Sequence, residues 1–513
     1  MSKPQQTLAK RYAFKLLANV ASVPVYLVME AVLPRALGPQ AYGNYSFATN
    51  MFQQLAGFLD MGTSTCFYNA LSRRQEEFGL VAYYCRVAVL VLALTMLFSL
   101  LAFVPGVGER ILPGVPPWIV PLAALWAFLT WWGRVLRSMN DACGVTVPSE
   151  ISRTVLSLAS VVVLVGLFFM DWLNMGTLFA HQYVTLGALA VGYAVVLRGC
   201  WERVSFRLEA AVTKGYTKEF ADYSLPLFVQ ALCSTVFLVG ERWLLQTFEG
   251  SAQQGFFALS QKVGMACFLF VSAMTPLVMR ELSIAWGKGD REEMGRLMDR
   301  FSPLLYTVAA YFSCFTVMEA PAVVRIFGGS DFAAAIIPVQ IMALYPVHQA
   351  YGQLAGSAFY AMGRTRTMRN MAVTEYVIGF GIAWVLLAPA ARHGLGLGAL
   401  GLAVKTVGVQ FLSVNFMLWM CSRLIPMRFW RNLAHQAYSL AFLLGVAWSA
   451  RWLTMAAGLG DAENVVRFFV SGVVYTAIMV VAVLAFPPLA GLTRADIRGL
   501  AIRIGGRLGI KLG

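Results

Sequence analysis

The chain has 513 residues, 59% hydrophobic and 13% charged, with a mean hydropathy of +0.67. Soluble domains run near 45–50% apolar and about 25% charged, so a water-soluble globular protein is excluded and an all-α polytopic membrane protein is expected. The 40 Lys and Arg against 25 Asp and Glu leave +15, a balance that suits nucleic acid, anionic lipid or membrane topology, and the placement of the charges decides among them.

A membrane span needs about 20 apolar residues to cross a core roughly 30 Å thick. The opening run, MSKPQQTLAKRYAFKLL, lacks the short apolar core and small-residue cleavage site of a removable signal. Apolar segments then follow at 12–34, 43–71, 80–104, 116–138, 146–170 and 176–198. A basic stretch interrupts, and the pattern resumes at 219–247, 253–279, 300–320, 333–361, 369–389, 396–421, 435–457 and 465–489. The expected plan is about fourteen spans: a six-helix lobe over 1–199, a connector over 200–218, a second six-helix lobe over 219–424, and a helix pair over 425–490. A basic tail over 491–513 completes it.

Most Lys and Arg fall in loops on the N-terminal side, whereas Arg35, Arg110, Arg325, Arg392, Arg451 and Arg467 fall on the other. By the positive-inside rule both termini are expected in the cytoplasm. This accounts for most of the positive charge, and no nucleic-acid partner is expected because the cations form no single aromatic-interleaved face. The connector mixes Trp201, Val204, Phe206 and Leu208 with basic residues, which fits either a helix on the membrane surface or a simple tether. In the tail, Arg494, Arg498, Arg503, Arg507 and Lys511 alternate with Ile497, Leu500, Ile504 and Leu508, an arrangement suited to anionic lipid. Cysteines at 66, 85, 143, 200, 233, 267, 314 and 421 form no C-x-x-C, so neither a disulfide nor a metal site is expected.

The stretch Leu33–Asn44, LPRALGPQAYGN, reads as the turn between the first two spans. It recurs 212 residues later as Glu249–Phe256, EGSAQQGF, where Gly250 and Gly255 repeat the spacing of Gly38 and Gly43. A duplicated half is expected, and transporters built from two repeats bind substrate where the repeats meet.

Polar residues inside the spans also repeat. On the first span Arg11, Lys15, Asn19, Ser22, Tyr26 and Glu30 stay within roughly 100° of one another at about 100° per residue. Gln53 and Asp60 lie on the second span, Tyr223, Gln230, Ser234 and Glu241 on the seventh, and Gln254, Gln261, Ser272 and Thr275 on the eighth. Small polar residues at such positions also serve as helix–helix contacts, but Glu30, Asp60 and Glu241 must be neutralised, paired or wetted. The expected outcome is a water-filled cavity lined by these four spans. Its candidate substrate contacts are Lys15, Asn19, Tyr26, Glu30, Gln53, Asp60, Gln230, Glu241, Arg242, Gln261 and Lys262. Arg and Lys among them suit a phosphorylated head group.

The run Leu16–Arg74, with LPRALGPQAYGNYSFA, then Asp60-Met61-Gly62 and the basic pair Arg73-Arg74, resembles the polysaccharide transporter, or Wzx-type oligosaccharide flippase, family of the multidrug/oligosaccharidyl-lipid/polysaccharide exporter superfamily. That resemblance implies two six-helix, MATE-like lobes, alternating access, and export of an undecaprenyl-pyrophosphate-linked glycan across a bacterial inner membrane. It implies no catalytic residue and no cofactor, coupling to H+ or Na+ in some members, and work alongside polymerase and glycosyltransferase machinery. The extra helix pair is similar to the lipid II flippase branch. Two other readings stay open: an ion-coupled multidrug or metabolite antiporter of the same superfamily, and an integral-membrane glycosyltransferase or polymerase. The second would need a long outer loop carrying catalytic groups, and the outer connections here are short.

Overall fold

The computed structural model describes residues 8–461, 464–492 and 494, with side chains from Val23 onward except at 199, 200, 226, 270 and 273. Among these residues every regular element is helical. In chain order they are α1 (Leu8–Asp60), α2 (Thr63–Arg73), α3 (Phe78–Leu100), α4 (Gly108–Ile111), α5 (Ile119–Ala142), α6 (Thr146–Phe169), α7 (Met175–Val196), α8 (Arg198–Trp201) and α9 (Ala210–Gly287). Then come α10 (Arg291–Met318), α11 (Ala320–Phe327), α12 (Ile336–Met342), α13 (Tyr345–Ala361), α14 (Thr365–Leu387), α15 (Gly398–Ser422), α16 (Phe429–Ala456) and α17 (Val465–Ala485). Eleven stretches among the described residues are long and apolar enough to cross a membrane.

Helix ends follow local chemistry. Asn174 and Thr177 form a reciprocal cap at the start of α7, and Asp290 and Asn464 cap α10 and α17 by accepting from the N–H of Glu293 (2.8 Å) and Arg467 (3.1 Å).

The chain forms two compact units: 1–255 with 380–398, and 256–379 with 399–513. They divide the chain elsewhere than at the connector, because the first part of α9 is fastened to the N-terminal helices. Tyr83 donates to Thr217 (3.2 Å), Arg74 to Glu219 (2.6 Å), and Tyr216 to Glu77. Residues 380–398 join the same unit through Phe237–Phe380 and Phe248–Trp384 ring contacts, with centroids 5.5 and 5.6 Å apart.

The connector is not one helix lying on a surface. Only α8 is helical before residue 210, and Ala210 already begins α9. Trp201, Val204 and Leu208 pack against the buried cluster of Phe67, Tyr84, Trp131 and Phe220, while Phe206 is exposed. Burying three apolar side chains in this way ties the segment into the protein core.

In the second unit, α10 packs against α13 and α16 around Tyr306, Ala309, Ala310, Cys314, Ala350 and Tyr351. Small side chains let these helices approach closely, the usual basis of helix association in lipid. The final helix is held by charge. Arg467 on α17 donates to both carboxylate oxygens of Glu319, and Ser471 donates to the same group (2.8 Å). Both charged side chains are fully buried, so Arg467 is no loop residue that sets topology. A guanidinium and a carboxylate matched in a fork can share burial because each satisfies the other. Arg451, also expected in a loop, donates to the carbonyl of Met318.

Candidate functional site

Within the first unit, α1 and α9 share one irregularity. Gly38 has φ 72° and ψ 170°, and Gly250 has φ 81° and ψ −179°, each the single non-helical point inside its long helix. Side chains rarely adopt such a conformation, so glycine is required at both bends, and the 212-residue repeat read in the sequence is a structural one. Pro39 then starts the second arm of α1 at a position where its missing N–H is harmless.

The other glycine of each pair serves a different purpose. A Cβ built on Gly43 would sit 1.8 Å from the carbonyl oxygen of Ser251 and 2.9 Å from the nitrogen of Gly255. Reciprocally, a Cβ on Gly255 would sit 2.2 Å from the carbonyl oxygen of Pro39 and 3.3 Å from the nitrogen of Gly43. Adding 212 to Pro39 and Gly43 yields Ser251 and Gly255, so each repeat presents the same two residues to the other. Backbone meets backbone there, in a pseudo-two-fold crossing of small residues four apart.

Buried polar groups sew the crossing together. Ser251 donates to Asn44 (2.6 Å), and the Gln246 amide donates to Ser251 (2.9 Å) and to the Pro113 carbonyl (2.9 Å). Next to it lies a group centred on Tyr42, which is buried and within electrostatic reach of Glu30, Tyr26, Tyr45 and Arg242. Tyr45 accepts a hydrogen bond from Gln182 (2.7 Å). Glu241 and Arg242 are each 6% exposed, and Glu241 is the principal charge acting on Arg242. The structure therefore brings Tyr26, Glu30 and Arg242 into one cluster that helix register alone left apart.

Tyr26, Glu30, Gln53 and Gln230 are half-buried, neither sealed in the core nor fully open. In the second unit, Gln261 and Lys262 are likewise half-buried, and Thr275 donates to Gln353 (2.6 Å). The side chains of Lys15 and Asn19 lie outside the described residues.

Asp60 does something the sequence did not anticipate. Its carboxylate accepts from the Ser64 N–H (2.9 Å), the Ser64 hydroxyl (2.8 Å), the Thr63 hydroxyl (3.1 Å) and Tyr84 (3.3 Å). Met61 and Gly62, both at positive φ, break the helix here, and Asp60 takes up the Ser64 N–H in the first turn of α2. Expected as a cavity carboxylate, it also serves as a cap. The nearby basic pair is also structural in part, because Arg74 bridges Glu77 (3.2 Å) and Glu219 (2.6 Å), and those contacts raise its pKa. The Tyr216 hydroxyl is pushed up to about 12 by burial and by the bond it donates to Glu77, so it stays a neutral donor across the physiological range. Sequence reasoning also missed buried Glu150, held by Arg137 (2.5 Å) and Arg153 (2.9 Å). The i,i+3 spacing of Glu150 and Arg153 was the available signal.

Long apolar helices, a duplicated bend and a polar, charged cluster among them define a multi-span membrane protein. Residues 8–279 match the family of polysaccharide biosynthesis proteins, and the chain belongs to that family. Its fold is shared with a lipid II flippase, MurJ, in an inward closed conformation: TM-score 0.63 at 10% identity, covering 92% of this chain and 98% of that one. It is also shared with a multidrug resistance MATE transporter of the MOP superfamily, inward-facing at TM-score 0.57 and 12% identity, over 79% of this chain and 94% of that one. An outward-facing structure of such a transporter gives 0.53 at 15% identity, over 81% and 95%. No curated protein matches the sequence at a significant level. Family and fold thus agree with the resemblance carried by Leu16–Arg74.

Proposed function

We propose that the protein is a flippase that moves an undecaprenyl-pyrophosphate-linked oligosaccharide from the cytoplasmic to the periplasmic leaflet by alternating access. The observation that carries this reading is the family match over 8–279, a range that contains both bends and all of the polar-striped helices. We assign the phosphorylated head to Arg242, Lys262 and Lys15, since guanidinium and ammonium groups are the side chains suited to phosphate. Asn19, Tyr26, Gln53, Gln230 and Gln261 keep the path wet, and Glu30 and Glu241 are the groups available for coupling to H+ or Na+. Asp60 is left out of this set because its oxygens are occupied by the cap. The membrane potential acting on a charged head contributes about 2.3 kcal/mol per charge per 100 mV.

Reading 227–269 as two spans joined at Gly250, and 8–60 as two more joined at Gly38, turns the eleven stretches into fourteen. With both termini cytoplasmic, the protein sits in the bacterial inner membrane beside the polymerase and glycosyltransferases that consume and supply its substrate. Complementation of a strain lacking a glycan flippase tests the proposal, with lipid-linked intermediates measured on each side of the membrane. Arg242→Glu or Lys262→Glu is expected to trap intermediates inside, and wild-type export in both variants would remove these cations from the site. The likeness to a multidrug transporter supports a second reading, an ion-coupled multidrug or metabolite antiporter. Drug resistance conferred by the wild type without glycan complementation would favour it.

A further inference from the structure

The second unit contains a cavity of about 670 Å³ that the transport proposal does not use. It is framed by the first turns of α10, the first turns of α16 and the turn that follows α17. Arg296, Arg300, Arg428 and Arg431 line it, against Glu292 and Asp299. Asp299 is committed to the frame: its carboxylate accepts from the Arg428 N–H (3.1 Å) and the Asn432 amide (3.1 Å) and pairs with Arg431 (3.2 Å). The cavity therefore keeps an excess of guanidinium charge.

Two further lining groups are incomplete. Asn432 is 1% exposed and its side-chain oxygen has no hydrogen-bond partner among the described residues. His435, 3% exposed, uses Nε2 on the Leu489 carbonyl (2.9 Å) and leaves Nδ1 without a partner. Buried polar atoms are rarely left so, and a protonated head-group oxygen or an ordered water held by a ligand would complete both.

We propose that this cavity holds the phosphate of an anionic phospholipid. Guanidinium forks are the side chains best matched to phosphate oxygens, and basic pockets between membrane helices at the head-group level bind such lipids. A lipid rather than a soluble phosphate is favoured by the neighbouring surface. Trp430, Tyr438, Phe442, Leu484 and Phe486, on or beside the elements that frame the cavity, are exposed, giving acyl chains an apolar flank and an aromatic belt at the interface. The head group would join α10, α16 and the end of α17 from outside, as Glu319 and Arg467 join α10 and α17 from within.

The experiment uses the full chain in nanodiscs of equal phosphatidylglycerol and phosphatidylcholine, with lipid retained after transfer to detergent counted by mass spectrometry. Wild type is expected to retain phosphatidylglycerol preferentially. Arg300→Gln with Arg428→Gln should weaken that preference by about fivefold per arginine removed, and Arg428→Gln alone should show the single-arginine effect if the double variant fails to fold. Arg369→Gln, an exposed basic residue outside the cavity, should change nothing. Undiminished preference in the cavity variants, or an equal loss in Arg369→Gln, overturns the proposal. So does binding of inorganic pyrophosphate in micelles that depends on Arg300 and Arg428 with no lipid preference in nanodiscs, since the occupant would then be a soluble phosphate.

Discussion

The stretch 210–255 of α9 is fastened to the N-terminal helices at both ends, by unlike means. Near Gly250 the contact is backbone on backbone, with Gly43 and Gly255 leaving no room for a Cβ and with Asn44, Gln246 and Ser251 buried around it. Near Ala210 the contact is made by side chains: Tyr216 and Phe220 pack against Tyr83 and Tyr84, and at the rim the paired Arg74 and Glu219 are 39% and 41% exposed. Exposed ion pairs contribute about 0–1 kcal/mol, whereas a close-packed crossing opens only by losing its whole set of contacts and hydrogen bonds.

The largest effect is therefore expected at the crossing. Gly43→Leu places atoms where the Ser251 carbonyl already lies, and overpacking of this kind costs about 1–3 kcal/mol or more. Thermal unfolding in detergent should fall accordingly, and complementation should fail. Gly57→Ala, on the same arm of α1 with nothing within 4 Å of the new Cβ, should leave both unchanged or slightly raise stability. Equal behaviour of the two variants would dissolve the distinction drawn here. Next comes Gln246→Leu, which leaves Ser251 and the Pro113 carbonyl short of a partner and should lower stability by about 1–3 kcal/mol. Asp60→Asn, at the far end of the same arm from the crossing, should cost about 1 kcal/mol as a weakened cap while transport persists. Loss of transport with stability intact would instead return Asp60 to the coupling groups. Smallest is Arg74→Gln, within about 1 kcal/mol, with a difference from wild type that shrinks as salt is added.

The bends and the duplication were legible because glycine at a special backbone angle leaves a mark in the sequence, and two marks at one spacing reinforce each other. The reciprocal packing of Gly43 and Gly255 was not legible, since close approach depends on which chain segments meet. Helix register could place Tyr26 and Glu30 on one face, but it could not bring Arg242 to Tyr42, which required the fold of α9 against α1. The capping role of Asp60 was hidden for a related reason. A carboxylate in an apolar run looks unsatisfied until the helix break at Met61 and Gly62 brings the Ser64 N–H and the Thr63, Ser64 and Tyr84 hydroxyls to it. Arg467 was assigned to a loop because its partner Glu319 lies 148 positions away.

Local sequence determined the membrane-spanning class, the helices and the two bends, because hydrophobic length, glycine conformation and caps act over a few residues. Only the tertiary structure decided which charges are satisfied: Glu319 with Arg467, Glu150 with two arginines, Asp60 with a helix end, and the cavity at Arg300 and Arg428. Electrostatic satisfaction is a property of neighbours in space, and chain order does not specify those neighbours.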